Sequence, residues 1–492
     1  MIVKIMKPAG SNFPGIQYND KKIDNGKGEL MLMKNFPSFI GESSSKEEVK
    51  SYLASVSKSE KVKKPQFHAA LSTRFREHSK EELTKIAENF MDEMGYGNQP
   101  FIVVFHNDTE NNHVHIVSTR VDKQSGKKIN DSYEKLKSQS ALAKVMEKIY
   151  GISNVENINK LLSYRISSLK QLELLLERSG FRLAQNKEDE TQFDILKNGV
   201  REKTISGNQI VFDNKKDENR TRQIRAILSK YKELYSGKVF KVQDFRKQEA
   251  MLPEEKQKEE AKPKIEFESE LQKKLKDTFG IDIVFHQVDE KYEDKGKSAG
   301  GHRPFGYSLI DNRTGTVYKG SEIMKMNDLF EFTSEIMDKR LFERLKDFNI
   351  PDKETQAVLL TYLKHKHPEN ELQSFMLFEN RKFKNKEIFS AVRDDVKEYL
   401  KTQHNDNVRI IKSENGKYYA IHSNLHYIGE LETLIGEKQF QNFLNPPVKT
   451  EYKKEDSLEK IIDDFLFDVM KSSGSVKDPG EEELKKRRKK KR

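Results

Sequence analysis

The sequence predicts an α+β protein: an N-terminal antiparallel sheet with helices, then small repeated αβ modules, then a disordered basic tail. Three observations carry that expectation. Over residues 1–150, strand-like alternation and helix-like periodicity succeed each other with short connections. Beyond that point a helix–strand–hairpin pattern recurs. The chain then closes on SSGSVKDPGEEELKKRRKKKR, small and polar at first and finally basic. At 492 residues the chain exceeds one ordinary core and suggests about two to four domains. We place boundaries at 1–150 (first α+β domain), 151–245 (αβ module with a helical extension), 246–268 (charged linker), 269–335 (second module), 336–445 (helical region, whose later part reads either as a third module or as a chance run of strand and turn signals) and 446–492 (helical or disordered basic tail).

The elements follow in order. MIVKIM reads as a first strand and GELMLMKNF as a second. SSSKEEVKSYLASV opens with serines and acids and turns apolar at helical spacing, so a helix is expected. QFHAALST is a strand whose His68, Ala70 and Ser72 share one face, because side chains alternate. Ser79 and Glu82 then form a capping box ahead of the apolar stripe Leu83, Ile86, Phe90 and Met94, which stops at Gly95. PFIVVFH and HVHIVSTRV, joined by NDTENN, read as an antiparallel hairpin. In the next region Ser168 and Gln171 cap the helix LKQLELLLERSG, which leads into FRLAQ and FDILKNGVREKTISGNQI. The pattern returns in LQKKLKDTFGIDIVFH with PFGYSLIDNRTGTVYKGSEI, and more loosely in VKEYLKTQHNDNVRIIKSENGKYYAIHSNLHYIGEL. Between the first two copies the Lys- and Glu-rich stretch 246–268 reads as a mobile or helical, solvated linker.

Composition narrows the function. Charged residues make up 34% of the chain and the formal net charge is +11 with a pI near 9.1, which favours a polyanionic partner such as nucleic acid. With no Cys, thiolate zinc sites, iron–sulfur clusters and disulfides are excluded, so any metal must be held by His, Asp or Glu. No apolar run approaches the roughly 20 residues of a membrane span, and the N-terminus lacks the apolar core of a secretory signal. A cytoplasmic protein without membrane insertion is expected.

The densest chemistry lies in HNDTENNHVHI, residues 106–116, which holds three of the 12 histidines. His113 and His115, two apart on a strand, project from one face, while Val114 and Ile116 point to the other. His106 ends the preceding strand and returns beside them. Three neutral imidazoles around one point make a divalent-metal site with open positions. A lone pair of this spacing would more often be two polar residues on a solvated face; the third histidine supports the metal. Asp108 or Glu110 could orient a ligating ring through its other nitrogen. His365 and His367 have the same spacing but fall on a helix-like stretch, where positions two apart diverge by about 200°, ahead of Pro368.

HNDTENNHVHI, preceded by FHAALST and SKEELTKIAENFMDEMGYG and by GIQYND near the N-terminus, resembles the relaxase/mobilisation nuclease domain of plasmids and mobilisable elements, a family of His-hydrophobic-His (HUH) endonucleases. The resemblance covers roughly residues 1–150 and says little about 151–492. It implies an HUH-endonuclease-like relaxase fold and a DNA relaxase of bacterial cytoplasm. Such an enzyme nicks one strand at a transfer origin through a tyrosine, leaving a 5′-phosphotyrosine and a free 3′-hydroxyl. It further implies Mg²⁺ or Mn²⁺ as cofactor, single-stranded origin DNA as substrate, and an accessory mobilisation protein and a type IV secretion coupling protein as partners. Tyr18 in GIQYND matches the family's nucleophile position, with His106, His113 and His115 as metal ligands. A phenol ionises near pH ~10, so its attack needs a base or a strong local field. From the residues alone, the favoured reading of Tyr18 is an anchor for a turn beside Asn19 and Asp20; only the resemblance makes it the nucleophile. Tyr133, on a helix after the histidines, is the rival nucleophile, as in replication initiators. Ser72 matches a serine of the family's middle motif that touches DNA, or else it bonds locally; His68 shares its face and is either core or site. Arg120, Lys123, Lys127 and Lys128 could meet phosphates or form a solvated turn. The alternatives are a rolling-circle replication initiator of the same class and a non-catalytic DNA-binding protein with a structural histidine cluster.

Overall fold

The computed structural model describes residues 1–445 apart from 60, 152, 214–216, 247–262, 288–302, 369–370 and 381–385. The basic tail and most of the linker expected at 246–268 therefore lie outside the described residues. The chain divides into two compact units, residues 1–215 with 315–317, and residues 216–314 with 318–492.

The first unit begins with β1 (Ile2–Ile5), α1 (Pro14–Asp24), β2 (Gly28–Lys34), α2 (Lys46–Val56), β3 (Gln66–Ser72), α3 (Lys80–Glu93), β4 (Phe101–His106), β5 (His113–Thr119) and α4 (Glu134–Tyr150). Its five strands lie in the order β1-β3-β5-β4-β2, and every neighbouring pair is antiparallel. Alternation then sorts the side chains onto two faces. Phe67, Leu71, Val103, Val114 and Ile116 bury one face against Leu83, Ile86 and Phe90 of α3 and Leu142 and Val145 of α4. Ile102, Val104 and Val117 bury the other against Phe13 and Ile16 at the start of α1 and Val49 and Leu53 of α2. Each such residue taken out of water stabilises the fold by about 1.5–3 kcal/mol before entropy is charged. The sheet is thus a sandwich filling, and the histidines belong to its α1/α2 face.

Local chemistry explains the expected helices. In α3, Ser79 Oγ accepts from the Glu82 amide at 3.2 Å and the Glu82 carboxylate accepts from the Ser79 amide at 2.8 Å; Ser45 and Glu48 do the same for α2. Gly95, at φ 81°, takes the left-handed turn that ends α3. Helix α1 has no such signal. Its N-cap is Phe13, left-handed at φ 44° and fully buried, and Pro14 supplies the first turn. A Cβ placed on Gly15 would stand 3.0 Å from Gln66 Oε1, 3.1 Å from His68 Nδ1 and 3.2 Å from Val117 Cγ2, so glycine lets α1 settle onto the sheet.

The recurring pattern is a helix followed by three strands. Leu169–Arg178 precedes the antiparallel meander Arg182–Gln185, Gln192–Lys197 and Val200–Ser206. Glu270–Phe279 precedes Ile281–His286, Gly306–Asp311 and Thr316–Lys319, and Lys386–Thr402 precedes the meander Val408–Lys412, Tyr418–His422 and Tyr427–Glu430. One part of the charged linker behaves otherwise than its composition suggests. Lys264–Glu268 is a strand, antiparallel to Lys238–Asp244, because Ile265 and Phe267 alternate with its charged residues and pack into the core of the second unit.

Candidate active site

The register of the β4–β5 hairpin builds the histidine cluster. His106 stands opposite His113, and Val104 opposite His115, so all three rings leave the α1/α2 face where its apolar packing ends. Ring centroids are 4.4 Å apart for His106 and His115, 5.2 Å for His106 and His113, and 5.4 Å for His113 and His115. One ligand nitrogen from each lies within 4.8 Å of the others. Burial, and then the neighbouring imidazoles, lowers the pKa of His115 to about 2 and that of His106 to about 4. Both rings are therefore neutral at pH 7 and offer lone pairs.

The residues fit a divalent cation. Both ring nitrogens of His106 are buried without a hydrogen-bond partner, an arrangement that costs about 1–3 kcal/mol for each orphaned group. A cation at the centre of the trio would satisfy one of them. His113 Nδ1 stands 3.0 Å from the Asn111 carbonyl, which only accepts; Nδ1 therefore carries the hydrogen and Nε2 is left as the ligand atom. His115 Nδ1 stands 2.9 Å from Nε2 of His68.

Helix α1 brings Tyr18 over this cluster. Its ring centroid is 5.4 Å from that of His115 and 5.7 Å from that of His106, and the residue is 43% exposed, so the phenol faces both the histidines and solvent. One turn later, Lys22 places its ammonium 5.7 Å from the centre of the Tyr18 ring and 2.5 Å from Asp108 Oδ2. That bond to Asp108 raises the Lys22 pKa. The other Asp108 oxygen is 3.9 Å from His113 Nε2, beyond hydrogen-bond reach. Asp108 thus ties the tyrosine helix to the β4–β5 loop and does not orient a histidine ring.

The remaining candidates separate. Ser72 faces His113 across β3 and β5, with its hydroxyl donating to the Thr73 carbonyl at 3.3 Å. His68 lies on the same face, in contact with His115. Arg120 does not reach the site: it is 1% exposed, paired with Glu134 at 2.6 Å and bonded to the Gln66 carbonyl, so it holds α4 to the sheet and is closed to phosphates. Lys128 pairs with Asp131 at 2.8 Å, and the Lys123 ammonium reaches the Asn35 carbonyl at 3.3 Å. Tyr133 is 82% exposed at the start of α4, which packs on the opposite face of the sheet from the histidines. His365 lies in the helix Lys353–Lys366 and His367 caps it.

Sequence reasoning missed the clamp that holds the β4–β5 loop. The Thr73 amide donates to the Asn112 carbonyl at 3.0 Å, the Asn112 amide to the Phe75 carbonyl at 2.7 Å, and the Phe75 amide to Asn111 Oδ1 at 2.6 Å. Arg76 adds bonds to Asn112 Oδ1 and, at 3.0 Å, to the Thr109 carbonyl. The paired asparagines of NDTENN were the available signal, and they read as generic turn formers.

Residues 18–152 match the family model described as Relaxase: MobA/VirD2-like, nuclease domain. Neither the curated proteins nor the solved structures returned a match. Among the described residues, no helix is long and apolar enough to cross a membrane.

Proposed function

We propose, from the match of residues 18–152 to the MobA/VirD2-like relaxase nuclease domain, that the protein nicks one DNA strand at the transfer origin of a plasmid or other mobile element by attack of Tyr18 on the scissile phosphate. The observation that carries the reading is the placement of an exposed tyrosine within 5.7 Å, ring centre to ring centre, of the two buried members, His106 and His115, of a three-histidine cluster. As the phenol oxygen attacks, its O–H bond is lost and an oxygen–phosphorus bond forms. The bond to the 3′ oxygen breaks, and that oxygen leaves with a proton. The product is a 5′-phosphotyrosine and a free 3′-hydroxyl; one phosphodiester replaces another, so resealing needs no nucleotide cofactor. His106, His113 and His115 would hold the cation, Mg²⁺ or Mn²⁺, which when bound supplies charge for the non-bridging phosphate oxygens. Imidazole donors favour Mn²⁺ of these two.

The substrate on this reading is single-stranded origin DNA, steered by a chain of net charge +11. An accessory mobilisation protein and a secretion coupling protein would act with it in the bacterial cytoplasm, the three αβ modules and the basic tail being the segments left for docking or extended DNA contact. Incubation of the protein with single-stranded oligonucleotides from candidate origins, with Mn²⁺ added or chelated, tests the proposal on a denaturing gel. A covalent adduct that requires metal and is lost in His113→Ala supports it. Binding without cleavage on a verified origin would return the protein to the non-catalytic class.

A further inference from the structure

Nicking by Tyr18 leaves one buried imidazole of this face without a task. His68 is 8% exposed on β3, and its Nε2 stands 2.9 Å from His115 Nδ1. Two ring nitrogens at that distance share one hydrogen, so one donates and the other offers a lone pair. The direction follows from metal ligation. His115 can hold a cation only through a nitrogen that bears no hydrogen, and its Nδ1 is already committed to His68. Nε2 is then the ligand atom, Nδ1 carries the hydrogen, and His68 accepts it. Ala70, directly opposite His115, is small enough to let the two rings meet. The far edge of His68 is walled by α1, where Gly15 approaches Nδ1 so closely that a Cβ would stand 3.1 Å from it. Gln66 Oε1 accepts the Gly15 amide hydrogen at 2.8 Å and fixes that approach.

We infer that His68 is a positioning residue: it accepts the Nδ1 hydrogen of His115, holds that ring with Nε2 free, and thereby sets the affinity of the trio for its cation. This rests on the metal-centre reading of the trio. The other two ligands are served differently, His113 by the Asn111 carbonyl and His106 by no hydrogen-bond partner, so the His68 contact is the one place where a side chain fixes a ligand's tautomer.

The full-length protein and its His68→Phe, His68→Gln and His106→Ala variants, titrated with Mn²⁺ while free Mn²⁺ is counted by electron paramagnetic resonance, test the inference. Phe keeps the ring's bulk without an acceptor, whereas Gln offers a carbonyl oxygen. Wild type should bind Mn²⁺ and His106→Ala should not; His68→Phe should weaken binding about 10- to 100-fold, and His68→Gln should recover most of the loss. Thermal unfolding of the metal-free proteins shows whether His68→Phe folds. If His68→Phe binds as wild type does, or His68→Gln binds as poorly as His68→Phe, the role of His68 is wrong and the metal centre stands. If wild type binds no Mn²⁺, both readings fall. Should the Phe variant not fold, ¹⁵N spectra of the wild-type histidines with Zn²⁺ bound decide: an unprotonated Nε2 on His68 is expected, and a protonated one overturns the inference.

Discussion

The residues of the site differ in how far their type announces their task. His113 and His115 were legible because a strand has a period of two, and His106 because a hairpin returns its first strand to the second. Asp108 and Arg120 were not legible, since charge in a sequence says nothing of the partner that meets it. Asp108 reaches Lys22, and Arg120 lies inside the domain against Glu134. Two outcomes follow. Arg120→Met should cost on the order of 3 kcal/mol in urea unfolding, because it strands the Glu134 carboxylate, and should leave DNA affinity per folded molecule unchanged. Lys22→Met should slow adduct formation about 10- to 100-fold by releasing the tyrosine helix from the β4–β5 loop, while the Mn²⁺ dissociation constant stays close to that of wild type.

At the scale of elements, the strands and the capped helices were legible and α1 was not. Helices α2 and α3 carry reciprocal Ser–Glu caps, and their apolar residues recur at helical spacing. Helix α1 begins at Phe13 with no side-chain cap, contains Gly15, and buries Gly15, Ile16 and Asn19, so its sequence lacks an apolar stripe. Packing of this short segment on Val117 and Gln66 decides its form, which is a tertiary effect. The strand Lys264–Glu268 was hidden in the same way, by a local charge density that masked Ile265 and Phe267. Ser79→Ala should destabilise the first unit by about 1 kcal/mol through loss of the α3 cap, without effect on nicking at saturating metal and DNA. Gly15→Ala should cost about 1–3 kcal/mol, since Gln66, His68 and Val117 must all give way, and should weaken Mn²⁺ binding as well. Chemical denaturation with and without Mn²⁺ separates those two effects.

For the whole molecule, the fold class and the recurrence of a helix with strands after residue 150 were visible as pattern, the third copy only as one of two open readings, while the role of the modules was not, because nothing in them has the spacing of a reactive site. The sequence does place a dense cationic block at its end, KKRRKKKR. Its removal should lower affinity for nonspecific single-stranded DNA and flatten the dependence of log affinity on log salt, with nicking at saturating DNA unchanged; anisotropy titrations across a salt series read both. The central claim is narrower, that the nucleophile rides on α1 above the histidine trio. The most direct measurement is digestion of the covalent DNA adduct and mass spectrometry of the nucleotide-bearing peptide. The account requires the mass on the peptide that contains Tyr18 and its loss in Tyr18→Phe; a nucleotide on the peptide containing Tyr133 would contradict it.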